Sequence, residues 1–133
     1  MKSREARRTL LGEGHEEEFE DDRRWMSLLP TSYKDELRIF VHAGINPGQP
    51  LAGQTDDTRM WARDEFLRFP GALPEYVVHG HTRTLRLDSS HSRSPKVREN
   101  RFSLDTGACF GGALSAAFFN GAEAKPFHTI SVT

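Results

Sequence analysis

Phe40-Val41-His42-Ala43-Gly44-Ile45 and Val77-Val78-His79-Gly80-His81-Thr82 share one arrangement: a short β-branched and aromatic run that stops at a histidine beside glycine. The first belongs to Leu37-Arg38-Ile39-Phe40-Val41, which reads as a buried strand running into the breakers Asn46, Pro47 and Gly48. The second continues Tyr76-Val77-Val78, another brief apolar strand, so His79 and His81 fall where that strand ends. Between them, the residues from Asp57 or Thr58 to Arg68 predict a helix capped by Asp or Thr, with Met60, Trp61, Phe66 and Leu67 near one side. Pro70 and Gly71 close it.

Working outward, residues 16–29 allow an amphipathic helix carrying Phe19, Trp25, Met26, Leu28 and Leu29, with acids in its first turns and Pro30 as its stop. Toward the C-terminus, residues 101–105, 114–119 and 127–132 alternate in the β manner, and Asn120-Gly121 between the last two signals a hairpin. Residues 89–99 are polar and read as a surface loop.

The chain has 133 residues, 18 Lys+Arg against 19 Asp+Glu and 36% apolar residues, which suits one globular domain at most. A formal charge of −1 removes the electrostatic case for a nucleic-acid partner. Acid is concentrated early, since 10 of the 19 carboxylates precede Val41. The apolar stretch from Ala113 to Phe119 is broken by Ser115 and falls far short of the roughly 20 residues that cross a bilayer. The N-terminus offers only Leu10 and Leu11 where a secretory signal needs a longer apolar run, so a cytoplasmic protein without membrane contact is expected. The single cysteine, Cys109, closes no internal disulfide, leaving stability to packing.

Imidazole binds Zn, Mn or Fe, and small neighbours let an ion and a substrate come close to the backbone. Either histidine motif alone reads first as a loop residue that only hydrogen-bonds; the two together point to a ligand site. Arg63, in Trp61-Ala62-Arg63-Asp64, carries a planar fork that matches two phosphate oxygens, or else pairs with Asp64 or Glu65 on the surface. Asp105, in Leu104-Asp105-Thr106-Gly107, caps a turn or supports a site. Cys109 is expected to be a small half-buried residue, because a cysteine phosphatase needs an arginine six places on and Ser115 stands there. Gly107 to Gly112 lacks the Lys-Ser or Lys-Thr of a nucleotide loop.

The ordered set made by the two histidine motifs, Pro47-Gly48, Pro50-Leu51, Gln54, Trp61-Ala62-Arg63, Phe66-Leu67, Asp105-Thr106-Gly107-Ala108 and Gly111-Gly112 resembles the C-terminal half of bacterial serine/threonine phosphatases. These belong to the phosphoprotein phosphatase family of calcineurin-like metallophosphoesterases. Leu28-Leu29-Pro30 and Tyr33 also look like the segment before the first motif. The resemblance implies an α/β fold, the C-terminal half of a two-sheet β-sandwich flanked by helices, over residues 25–133, with residues 1–24 as a charged flank. It implies that His42 and His81 ligate metal, that Arg63 holds the substrate phosphate, and that His79 and Asp105 support the site. The complete family fold uses two divalent ions, Mn, Fe or Zn, to hydrolyse a phosphoprotein or small phosphate ester; close relatives cleave dinucleoside polyphosphates.

The family builds its other metal ligands from Gly-Asp-x-His-Gly, Gly-Asp-x-x-Asp-Arg-Gly and Gly-Asn-His motifs, none of which occurs in this sequence. Gly12-Glu13-Gly14-His15-Glu16 only approximates one of them by chance. At most one partial metal site is therefore expected, in a truncated phosphatase, in one subunit of a split enzyme that partners a missing N-terminal half, or in a non-catalytic remnant acting as an interaction module.

Overall fold

The computed structural model describes residues 16–87 and 90–133. The chain divides into two units, Met1–Pro30 and Thr31–Thr133. In the first, α1 spans Glu16–Ser27. It ends in a tightened turn in which the Leu28 and Leu29 amides donate to the Trp25 and Met26 carbonyls at 3.0 and 3.2 Å. Trp25, Met26 and Leu28 are exposed. The glycine-rich string at 12–15 lies outside the described residues.

The second unit is built on a five-stranded sheet in the order β1 (Ser32–Lys34), β2 (Arg38–Val41), β3 (Tyr76–His79), β5 (Arg101–Ser103), β4 (Lys96–Arg98). Strands β2, β3 and β5 run parallel, while β1 and β4 add antiparallel edges. A two-stranded sheet, β6 (Leu114–Phe118) with β7 (His128–Val132), completes the set. The period-2 alternation of the parallel strands divides the core. Ile39, Val41 and Val77 pack with Ile45, Phe66 and Leu73 on one face. Tyr76, Val78 and Phe102 meet Phe40, Leu104, Ala117 and Phe119 on the other, so the second sheet covers that side. Phe119 makes edge-on contacts with Phe40 and Phe102, at centroid distances of 5.4 and 6.2 Å. Arg38, only 2% exposed, ties the layers together. It pairs with Asp35 at 2.9 Å, donates to the Asn120 carbonyl and lies over the Phe119 ring.

The structure departs from the sequence reading in four places. The expected single helix over 57–68 is two short ones, α2 (Asp56–Trp61) and α3 (Asp64–Leu67). Thr55 caps the first through its hydroxyl, Ala62 is extended, and Arg63 (φ −135°, ψ −113°) restarts the chain. The 89–99 loop contains β4, whose Lys-Val-Arg composition hides a strand but suits a charged sheet edge. The hairpin forms, yet Asn120-Gly121 is not its two-residue turn. The connection spans 119–127, folded by the Asn120 side-chain oxygen accepting from the Ala122 and Glu123 amides. Cys109 is exposed rather than half-buried, because Gly107 and Gly111, both left-handed at φ +85° and +77°, turn the 108–110 segment outward.

Among the described residues no helix is long and apolar enough to cross a membrane.

Candidate functional site

Because β2, β3 and β5 are parallel and in register, their carboxyl ends emerge along one edge of the sheet, the usual place for ligands in such sheets. That edge gathers His42, the His79-Gly80-His81 segment and Asp105. The Gly80 amide donates to the His42 carbonyl at 2.8 Å and the Leu104 amide to the His79 carbonyl at 2.9 Å, fixing the three strand ends relative to one another. The Ala43 amide bonds the Arg59 carbonyl at 2.7 Å, which anchors α2 beside the same edge.

His42 Nε2 and His81 Nδ1 lie 3.0 Å apart, with ring centroids at 4.9 Å. His81 holds a left-handed backbone, φ +63°, in a three-residue turn closed by the Thr82 amide on the Gly80 carbonyl at 2.7 Å. A non-glycine residue there costs on the order of 1–3 kcal/mol, which the surrounding contacts must offset. Burial holds the His81 imidazole below its ordinary pKa, the facing His42 and then Arg63 add to the fall, and Asp105 opposes it. The shift favours the neutral His81 ring, the form that offers a nitrogen lone pair to a metal. Among the described residues, the second ring nitrogen of His81 is buried without a hydrogen-bond partner.

The break between α2 and α3 decides where the neighbouring side chains go. Trp61, expected on the buried side of a continuous helix, is 63% exposed and meets the His81 ring edge-on at 5.5 Å. Arg63 is exposed as well, and its guanidinium has no carboxylate within ion-pair range among the described residues. Asp64, the partner that a surface role would supply, faces Arg68 instead at 3.6 Å.

His79 goes a different way. It is 4% exposed, its Nδ1 bonds the Gly80 carbonyl at 3.2 Å, and its ring stands edge-on to Phe66 at 4.8 Å. The structure therefore places it in the core behind the two other imidazoles. Burial, with Arg101 and Arg98 nearby, outweighs the Gly80 bond and Asp105 and pushes its pKa from 6.5 down to about 4. The folded value lies below the unfolded one, so the unfolded chain takes up this proton first. Stability is full above about pH 6.5 and falls as pH drops toward 4, by on the order of 3 kcal/mol in total. Urea midpoints at pH 7 and 5 should show the loss, and His79→Leu should flatten most of it. An unchanged slope in the variant would remove His79 as its source. Asp105 accepts the Gly107 amide at 3.0 Å and so caps its turn, with its charge acting on both His79 and His81.

Arg101 carries no signal that the sequence reading used, and Gln54 stood in the ordered motif set without a structural role assigned to it. Arg101, 4% exposed, donates to the carbonyls of Phe66, Phe69 and Gly71 and so ends α3. Gln54 bonds Asn46 through both backbone groups and the Gln49 carbonyl, which shapes the loop after His42.

Neither the protein-family models nor the curated proteins contain a match to this chain. Among solved structures it is similar to the crystal structure of "a putative diadenosine tetraphosphatase", with 26% identity and a TM-score of 0.55 over 84% of this chain. The chain spans about half the length of that protein, 54% of it. The mixed α/β architecture is thus a partial phosphoesterase-like fold.

Proposed function

We propose that the chain supplies half of a metal-dependent phosphoester hydrolase site, with His42 and His81 as nitrogen ligands of one ion and Arg63 as the phosphate clamp. The observation that carries this is the 3.0 Å approach of His42 Nε2 to His81 Nδ1 beside an arginine without an acidic partner. Two nitrogens each about 2.1 Å from one ion and at right angles to each other sit about 3 Å apart, so the pair fits adjacent positions on one ion. The described residues contain no cluster of three His, Cys, Asp or Glu, so they do not fit a two-ion centre by themselves. The remaining ligands would come from outside these residues or from another chain.

When bound, such an ion polarises a phosphoryl oxygen and lowers the pKa of a coordinated water. Arg63 would hold two equatorial oxygens through its fork and offset their charge as the leaving group departs. Trp61, edge-on to the His81 ring, borders the site on its solvent side. His79 and Asp105 position the His81 turn from behind rather than touch substrate.

The motif order favours a phosphomonoester on serine or threonine as substrate. The solved structure's description favours a dinucleoside polyphosphate, and an exposed indole beside the phosphate clamp suits a nucleobase. The test is hydrolysis of p-nitrophenyl phosphate and of diadenosine tetraphosphate after co-expression with the part of that solved protein which the alignment leaves uncovered. Metal-dependent turnover that His42→Ala removes is the expected result; turnover indifferent to His42 contradicts the assignment.

A further inference from the structure

Arg63 also walls a groove whose other polar lining residues are Asp64, Arg68, Thr82, Arg86 and Arg98. Its sides come from α3, the turn after His81 and the charged edge strand β4. Among the described residues, four arginines and one carboxylate line it. The Arg98 Nη1 donates to the Leu67 carbonyl at 3.1 Å, which fixes that guanidinium at the end of α3. Arg68 reaches Asp64 only at 3.6 Å, with both side chains well exposed, a pairing that contributes little. Among the described residues Arg86, like Arg63, has no carboxylate within ion-pair range. Thr82 is 8% exposed, lines the groove, and its hydroxyl has no hydrogen-bond partner among the described residues. A buried hydroxyl left unpaired costs about 1–3 kcal/mol, and like charges gathered in one concavity repel unless an anion joins them.

We propose that this groove is a second anion subsite, holding the further phosphates of a substrate whose reacting phosphate sits at Arg63, so that the preferred substrate carries a chain of three or more linked phosphates. The inference rests on the phosphoester reading above and goes beyond it in assigning Arg68, Arg86, Arg98 and Thr82. Planar forks suit phosphate oxygens two at a time, and Thr82 adds a neutral donor. The groove begins at the clamp for the reacting phosphate, so phosphates of the same molecule are what geometry delivers to it. A nucleic acid is disfavoured by the overall charge of −1.

The experiment is calorimetric titration of the full chain, with EDTA present and at matched ionic strength, using inorganic tripolyphosphate, ATP and orthophosphate. Tripolyphosphate should bind at least about tenfold more tightly than orthophosphate, with the steeper salt dependence. Arg68→Ala with Arg86→Ala should remove about tenfold of the tripolyphosphate affinity while orthophosphate binding stays within about twofold; both residues are exposed, and circular dichroism checks the fold. Thr82→Val, a second and isosteric variant, should weaken tripolyphosphate in the same sense. ATP equal to tripolyphosphate assigns the groove to the chain of phosphates alone, and ATP binding more tightly adds recognition of the base; both support the subsite. Tripolyphosphate no tighter than orthophosphate, an unaffected double variant, or equal binding of a hexaglutamate peptide would overturn it. Cobalt broadening of the His42 and His81 ring signals reports the hydrolase reading separately. If that broadening is present without a tripolyphosphate preference, the subsite alone fails. If the preference is present without the broadening, the metal assignment fails and a polyphosphate-binding groove remains.

Discussion

Gly44→Ala should destabilise the chain by at least about 3 kcal/mol, at or above the upper end for overpacking a core. A methyl group built at Gly44 falls 2.6 Å from Cγ of Phe66 and 2.9 Å from its Cε1. That ring cannot yield, since Phe66 is fully buried, stands edge-on to His79, and has its carbonyl held by Arg101. Phe66→Ala should cost about 3–5 kcal/mol through the cavity it opens. The double variant should cost clearly less than the sum, because the new methyl enters the vacated space. Urea midpoints of the four proteins measure this directly. A Gly44→Ala loss within about 0.5 kcal/mol would mean that the loop after β2 is not seated on Phe66, and with it that His42 is not held as described.

The second large effect concerns Arg63. In the assembled site, Arg63→Ala should lower kcat/KM by about 10²-fold or more, the scale of losing a charged donor to a developing oxyanion. Metal content should be almost unchanged, since the guanidinium is assigned to phosphate and not to the ion. Arg63→Lys should recover only part of the rate, because an ammonium restores the charge without the two-pronged geometry. Full activity in Arg63→Ala would return this residue to an exposed surface role.

How much of this was legible beforehand follows from what each signal depends on. Strands β2 and β3 were visible because buried parallel strands are continuous apolar runs, and their histidines were visible because each interrupts such a run beside glycine. The edge strands were not: Ser-Tyr-Lys and Lys-Val-Arg are short and polar, and they exist through pairing with β2 and β5 rather than through their own pattern. The helical periodicity through Trp61 and Phe66 was real but misled, since the break at Ala62-Arg63 sends one aromatic to solvent and the other into the core. Arg63 as a candidate came from motif order. Its freedom from Asp64, and the gathering of Arg68, Arg86 and Arg98 beside it, depend on tertiary placement that spacing along the chain does not carry. His79 and His81 are two residues apart, yet one is in the core and the other at the surface edge, because the chain leaves the strand between them through a left-handed turn.

In the proposed site His42 and His81 offer one ion two adjacent nitrogens. Titration of the chain with cobalt(II), followed by NMR of selectively labelled histidines, tests it most directly. The His42 and His81 ring signals are expected to broaden together at one equivalent, ahead of His91 and His128, and His42→Ala to shift the remaining response of His81 to about tenfold higher cobalt or beyond. Independent broadening of the two rings, or a His81 response unchanged by His42→Ala, would contradict it.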